Sequence, residues 1–417
     1  LEEEMKKILF TAIAITGILL FVGCPNDTIP TTYAVTVSPS GAETGESVSA
    51  DASEAAEGAT VTLTATLNSG RLVALSASGV TISPSTIGSD EGTATFTMPA
   101  AAVEVTATFS YDAGAAVLHT ATSVDFNMHY VPSGGPFTMG EHVESTTQEV
   151  TLTKNFWMGE TEVTQGLWED VWGTTWPGDP GDVPISDYGL GATYPAYYVN
   201  WYDAAAFCNL LTLADSSIAD SEQVYYSDTE LNTAYTKANA ANSDAVYADW
   251  SKKGFRLLTE AEWEYAARYI DGTSWNNGDH ASGDTEYACY DPGSGTVSGS
   301  PLASDARISQ YAWWNGNNSG GTGDSTYGTK EVGQKTANPL GLHDMSGNVF
   351  EWCYDWHEAY SGGSEADPTG PTSGSNRVMR GGFWDTLGSY LRCADRDNDS
   401  PSDRFYGYGF RLCRTAD

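Results

Sequence analysis

Asn338-Pro339-Leu340-Gly341-Leu342-His343-Asp344-Met345-Ser346-Gly347-Asn348-Val349-Phe350-Glu351-Trp352 is the stretch on which the reading of this chain turns. By its residues alone it holds a Gly347-Asn348 turn, buried by the indole of Trp352. Outward from it, from about residue 123 to the C-terminus, Trp, Gly and turn residues recur throughout, and two segments carry a helical pattern. One is Trp201 to Leu211, with Ala204, Phe207, Cys208 and Leu211 on one face. The other opens at Thr259-Glu260-Ala261-Glu262, a Thr-x-x-Glu capping box that satisfies N–H groups orphaned by the first turn. It continues with Trp263, Ala266, Ala267 and Ile270 on its buried side. Residues 212–253 are polar and Tyr-rich and read as an insertion. Two helices among many short strands predict an irregular α+β domain over 123–417.

Upstream the character changes. Tyr33-Ala34-Val35-Thr36-Val37, Val61-Thr62-Leu63-Thr64-Ala65-Thr66-Leu67, Ala94-Thr95-Phe96-Thr97-Met98 and Val103-Glu104-Val105-Thr106-Ala107-Thr108-Phe109 all alternate at period two. Thr alternating with apolar residues between Gly/Ser/Pro turns predicts half-buried antiparallel strands. Residues 33–110 therefore form a small all-β module similar to the divergent internalin B-repeats, without aromatic cluster, His or Cys for chemistry, and read as a spacer. Residues 111–122 read as a Gly/Ala linker.

The N-terminus reads as a targeting segment, 1–24. Lys6 and Lys7 precede an apolar run from Ile8 to Val22 that closes at Gly23-Cys24, short for a membrane span and ending as a cleavable signal does. Gly23-Cys24 resembles a bacterial lipobox, which makes Cys24 the expected lipidation site and a bacterial outer-membrane surface the expected location. Beyond Cys24 the cysteines are Cys208, Cys289, Cys353, Cys393 and Cys413, an odd set that cannot pair completely. None has the spacing of a zinc site. The chain carries 55 acidic against 19 basic residues, a formal charge of -36. Such a field repels phosphate backbones, so no nucleic-acid partner is expected.

The opening stretch belongs to an ordered series. Phe156-Trp157-Met158-Gly159 with Glu162-Val163-Thr164 comes first, then Val199-Asn200-Trp201-Tyr202-Asp203-Ala204, then Phe255-Arg256-Leu257-Leu258-Thr259-Glu260-Ala261-Glu262-Trp263-Glu264-Tyr265-Ala266. Arg380-Gly381-Gly382-Phe383-Trp384 and Gly409-Phe410-Arg411-Leu412 follow the stretch itself. In this order the motifs resemble the formylglycine-generating-enzyme, or sulfatase-modifying-factor, family, which implies its version of the C-type-lectin fold. The resemblance also implies a disulfide between Cys208 and Cys413. It implies one structural Ca²⁺ held through Asp344, Gly347, Val349 and Glu351, whereas the residues alone are equally a buried Gly-Asn turn. Oxidase members hold copper and engage a substrate thiol with two cysteines just after the Gly-Gly motif. Here that stretch is Trp384-Asp385-Thr386-Leu387-Gly388-Ser389-Tyr390. Thiolate chemistry has no substitute among these side chains, so copper and oxidase activity are not expected.

The C-terminal region, about 379–412, resembles the variable region of a subgroup of this fold diversified by retroelements. There, template adenines are copied with errors, so that Asn codons become almost any NNC codon. NNC codons cannot encode Trp, Met, Lys, Gln or Glu, and from Phe383 to Tyr408 only the motif residue Trp384 belongs to that set. Tyr, Ser, Gly and Asp instead dominate, as in adaptable paratopes. The expected ligand-binding positions are Phe383, Asp385, Leu387, Ser389, Tyr390, Asp395, Asp397, Asp399, Asp403, Phe405, Tyr406 and Tyr408, interleaved with framework Arg392, Arg396, Pro401 and Arg404. The expectation is a non-catalytic surface lipoprotein whose ligand is a protein or other cell-surface molecule. The alternatives are a formylglycine-generating oxidase and a coat component without a variable ligand.

Overall fold

The computed structural model describes residues 31–416 apart from 43–45, 69–70, 89–90, 142, 174–187, 287, 290–302 and 319–326. Cys24 and the targeting segment lie outside the described residues. In the N-terminal module Val61, Leu63, Ala65, Val73, Leu75, Phe96, Val105 and Ala107 are buried, while the intervening threonines face outward. The strands form two sheets. One runs 54–56, Thr32–Ser40, Val103–Tyr111, Arg71–Ala77, 86–88, and the other Ser47–Ala50, Thr60–Thr66, Glu91–Thr97. The period-two pattern predicts antiparallel pairing throughout, yet the first and last strands pair in parallel from Val35↔Val103 to Ser40↔Thr108. A parallel pair needs a long crossover, and the intervening strands supply it.

The expected linker is also partly sheet. Ala116–Thr120 pairs antiparallel with Asp125–Val131, whose other edge meets Phe156–Gly159 and then Cys413–Thr415. His119 on this strand is buried with Nδ1 2.6 Å from Asp215 Oδ2, which fixes the strand to the end of a helix. Small residues around Gly114 hid this strand from a hydrophobic pattern.

The larger domain has helices α1 (Gln165–Trp172), α2 (Trp201–Ala214), α3 (Lys237–Ala241), α4 (Glu260–Arg268) and α5 (Ala303–Tyr311). Both predicted helices are present. α4 has the predicted capping box, with Thr259 accepting from the Glu262 N–H and Glu262 Oε2 accepting from Thr259 N. It stops at Arg268, so Ile270 lies beyond it and is half-buried. α2 is buried almost all round, as befits a helix at the centre of a core rather than on its surface. Helices α1, α3 and α5 were not predicted, being short and without a long apolar stripe. The 212–253 segment is not an appended insertion. Tyr225 and Tyr235 are wholly buried, and Asn209 of α2 bonds the backbone at Val224, Tyr225 and Tyr235.

Residues Cys208 and Cys413 stand as buried free thiols, so the implied disulfide is not formed in this structure. Burial raises the Cys413 thiol, with Glu262 and Cys208 adding to it, and Cys413 Sγ is directed at Glu262 Oε2, 3.9 Å away. Among the described residues no helix is long and apolar enough to cross a membrane.

Candidate binding surface

Four strands carry the C-terminal region, in the order Asp397–Asp399, Arg377–Arg380, Phe350–Trp356, Tyr408–Gly409. Segment 383–408 thus leaves the sheet centre and returns at both edges, pairing Met379 with Asp397 and Phe350 with Tyr408. Gly347 and Asn348 both take positive φ, 86° and 61°, at the predicted turn. A Cβ on Gly347 would come 2.1 Å from Trp313 O, so only glycine fits. Gly382 (φ +75°) is equally confined, since a Cβ there would meet Tyr390 O at 2.7 Å.

The loop backbone is held from beneath. Arg380 is wholly buried and donates to the carbonyls of Cys393 (3.0 Å) and Asp395, while its other nitrogens face Glu260 and Glu264. Arg396 is bidentate on Glu260 at 2.6 and 2.9 Å. Arg404 donates to Tyr198 O at 3.0 Å and pairs with Asp203. Trp384 is fully buried and donates its backbone N–H to Asn348 O at 3.0 Å. Arg380 thus fixes the 393–395 backbone directly, while Arg396 and Arg404, two of the arginines read as framework in the sequence, tie the segment to Glu260 and to Tyr198 and Asp203.

The expected binding positions divide. Leu387 and Tyr390 are 42% and 43% exposed, and Asp403 is also exposed. Asp385, Ser389, Asp397, Asp399, Phe405, Tyr406 and Tyr408 are half-buried, with one side toward solvent. Phe383 and Asp395 do not belong on the display. Phe383 packs in the core against Phe350 and Trp384, and buried Asp395 pairs with Arg392. Burial pushes the Asp395, Asp397 and Asp403 carboxyls up, and for Asp403 the nearby Asp399 adds to it. Tyr408 OH donates to Asp399 Oδ2 at 2.7 Å.

Residues from elsewhere complete the surface. Tyr188 stacks on Tyr406 at 4.8 Å, and Tyr327 meets Trp384 edge-on at 4.6 Å. Asn315 donates to Asp385 Oδ1 at 3.0 Å. Burial, with Asp385 beside it, pushes Tyr406 up to about 12. These neighbours lie outside the recognised segment, and nothing in their local sequence marks them. The result is an acidic, tyrosine-lined surface, suited to partners offering cations, N–H donors and apolar contact.

Every described cysteine is buried, and burial raises every one of these thiols, Cys393 to about 12. Among the described residues no cluster of three or more His, Cys, Asp or Glu could hold a metal ion. The implied calcium set fits in part. Asp344 is buried with Oδ1 unpartnered. Glu351, by contrast, accepts from Arg411 Nε and an Arg411 terminal nitrogen at 2.7–3.1 Å and from Trp263 Nε1 at 2.7 Å. Its lone pairs are already taken, and a cation there would face a guanidinium.

Fold and motifs together define a formylglycine-generating-enzyme-type C-type-lectin domain behind a small all-β module. The chain belongs to the sulfatase-modifying factor enzyme 1-like family, which it matches over residues 116–416, while residues 33–113 match the divergent InlB B-repeat domain. Chaperone protein LppX of Paenibacillus barcinonensis is 32% identical over 261 residues, 60% of this chain and 76% of that protein. The formylglycine-generating enzyme of Streptomyces coelicolor is 33% identical over 182 residues, 42% of this chain and only 51% of that protein. The solved structure of Treponema denticola variable protein 1 superposes with a TM-score of 0.55 at 31% identity, covering 72% of this chain and 99% of that one.

Proposed function

We propose that the chain is a non-catalytic, surface-displayed lipoprotein whose 383–408 segment forms a diversified binding site for a protein or other cell-surface ligand. One observation carries the reading: buried Arg380 holds the backbone at 393–395, and Arg396 and Arg404 tie the segment to Glu260 and Tyr198, while Asp385, Leu387, Ser389, Tyr390, Asp397, Asp399, Asp403, Phe405, Tyr406 and Tyr408 reach solvent. Backbone pinned by contacts that do not involve the displayed side chains leaves those side chains free to change identity without changing the fold. Similarity to a treponemal variable protein supports the same reading. The absence of cysteine from 384–390 and the burial of every described thiol speak against thiol oxidation. Anchoring through a lipid on Cys24 follows from the lipobox alone, and the charge of -36 disfavours nucleic acid.

The test is a pull-down from host or neighbouring-cell surface extracts. The wild type should retain a partner that a combined Asp385→Ala, Leu387→Ala, Tyr390→Ala, Asp403→Ala, Tyr406→Ala variant loses while staying folded. Retention by the folded variant would move the binding site elsewhere. A parallel incubation with copper, oxygen and a sulfatase-type cysteine peptide should leave the thiol intact, and turnover to an aldehyde would replace this reading with the oxidase one.

A further inference from the structure

Asp355 lies near the end of the strand Phe350–Trp356, and only one of its carboxyl oxygens is engaged. Oδ2 accepts from Glu260 N at 2.9 Å, in the first turn of α4. Oδ1 takes no hydrogen bond and no ion pair among the described residues, although Asp355 is only 4% exposed. The cations nearby have other partners. Arg377 lies 3.7 and 3.6 Å from the centres of the Trp201 and Trp356 rings and donates to Tyr354 O. Arg380 and Arg396 both pair with Glu260. Burial, followed by the charge of Glu260 and then of Glu262, raises the Asp355 carboxyl to about 8, with Glu260 N–H and Arg377 opposing.

Asp355 and Gly370 border one cavity of about 270 Å³. A Cβ on Gly370, whose φ is +73°, would come 2.7 Å from Asp355 Cβ and 3.0 Å from Oδ1, so glycine there leaves the carboxyl uncovered. Met139, Trp356 and Pro371 give the cavity apolar wall, and Glu358 and Glu365 border it from exposed positions. Arg396 is the one cation among the described lining residues, and its charge is met by Glu260 at 2.6 and 2.9 Å. None of the proposed display positions lines this cavity, so it is a separate site.

We propose that this cavity binds a small primary alkylammonium, whose –NH₃⁺ donates to Asp355 Oδ1 while its alkyl chain lies along Met139, Trp356 and Pro371. An ammonium offers three donors and no acceptor, which suits a carboxylate with a vacant oxygen. Acids on the wall and a chain charge of -36 disfavour an anion. The volume falls just below the roughly 300–1,000 Å³ of drug-sized pockets, which suits a compact ligand. An isolated buried carboxylate is expensive, so the free protein holds a proton on Asp355 at neutral pH. The ammonium takes that proton's place. It keeps its own charge, since alkylammonium groups titrate near about 10.4, and the Asp355 proton passes to the solvent.

The experiment titrates the full chain calorimetrically with n-pentylamine, and with 1-pentanol as the uncharged counterpart, between pH 6 and 8. The amine should bind once per chain and tighten by about tenfold per pH unit from 6 to 7, because only the ionised carboxylate accepts it. Heats compared in two buffers of different ionisation enthalpy should show close to one proton released per amine bound at pH 7. Pentanol should bind at least about tenfold more weakly, since a hydrogen bond to a charged group is the stronger kind. Asp355→Asn keeps an acceptor for the Glu260 N–H but removes the charge, and should cut amine affinity by at least about tenfold. Absence of amine binding, equal binding of pentanol, or undiminished binding by folded Asp355→Asn overturns the proposal. Should that variant fail to fold, the wild-type proton count decides: amine binding without proton release places the ammonium elsewhere.

Discussion

Arg380 reaches no solvent, and what it touches explains how the segment after it is held. Its guanidinium lies between Glu260 and Glu264 and donates to two carbonyls of the 393–395 backbone. Arg380→Ala would leave buried carboxylates unpaired and should cost about 3–5 kcal/mol by denaturant melts. The display side chains should behave differently. Asp385→Ala and Tyr390→Ala, away from such contacts, should each change stability by less than about 0.5 kcal/mol. Trp352→Ala, Trp384→Ala and Phe383→Ala remove buried aromatics and should cost roughly 3–5 kcal/mol. Phe405→Ala and Tyr406→Ala should fall between, because both rings pack partly on the core. Asp355 offers a pH test. Burial, followed by the charge of Glu260, raises its carboxyl to about 8, above its unfolded value, so the native state holds the extra proton. Its contribution is full at acid pH and is lost as pH rises toward 8, a loss on the order of a few kcal/mol. Asp355→Asn keeps an acceptor for the Glu260 N–H, 2.9 Å away, and should flatten the fall in melting temperature between pH 5 and 8. An unchanged slope would show that Asp355 ionises normally.

At the scale of elements, α4 shows what a local sequence specifies. Thr259 and Glu262 cap each other, and Glu262 is also held by Arg256 at 2.7 Å through both oxygens. Thr259→Ala should cost about 1 kcal/mol, read as a fall in denaturant midpoint without a change of slope. This helix, α2, the Gly347-Asn348 turn and the alternating strands of the first module were legible because each rests on residues close in sequence. The strand at Ala116–Thr120 and the parallel pairing of the module's end strands were not, since both depend on partners brought in by the fold. The same divide runs through the site. Arg392, Arg396 and Arg404 were readable as framework within 383–408. The burial of Phe383 and Asp395 was not, nor the arrival of Tyr188 and Tyr327 against Tyr406 and Trp384. The Cys208–Cys413 pairing came from family pattern and is absent as a bond here, both cysteines standing as buried thiols.

Across the whole molecule, an all-β module precedes a lectin-type domain whose C-terminal sheet offers one acidic, tyrosine-lined loop surface. The proposed arrangement is a lipid at Cys24, a spacer, and a surface held outward by it. Palmitate labelling should mark the wild type and not Cys24→Ser, and equal labelling of both would remove the anchor from the account. The central claim is that a fixed scaffold presents replaceable side chains. It is tested most directly by randomising Asp385, Leu387, Ser389, Tyr390, Asp397 and Asp403 together on displayed protein and measuring protease resistance across the library. The account predicts that most members resist cleavage as the parent does, while a matched library at Phe383, Trp384, Arg380 and Trp352 is almost wholly cleaved. Equal sensitivity of the two libraries would contradict it, because the surface would then be part of the core.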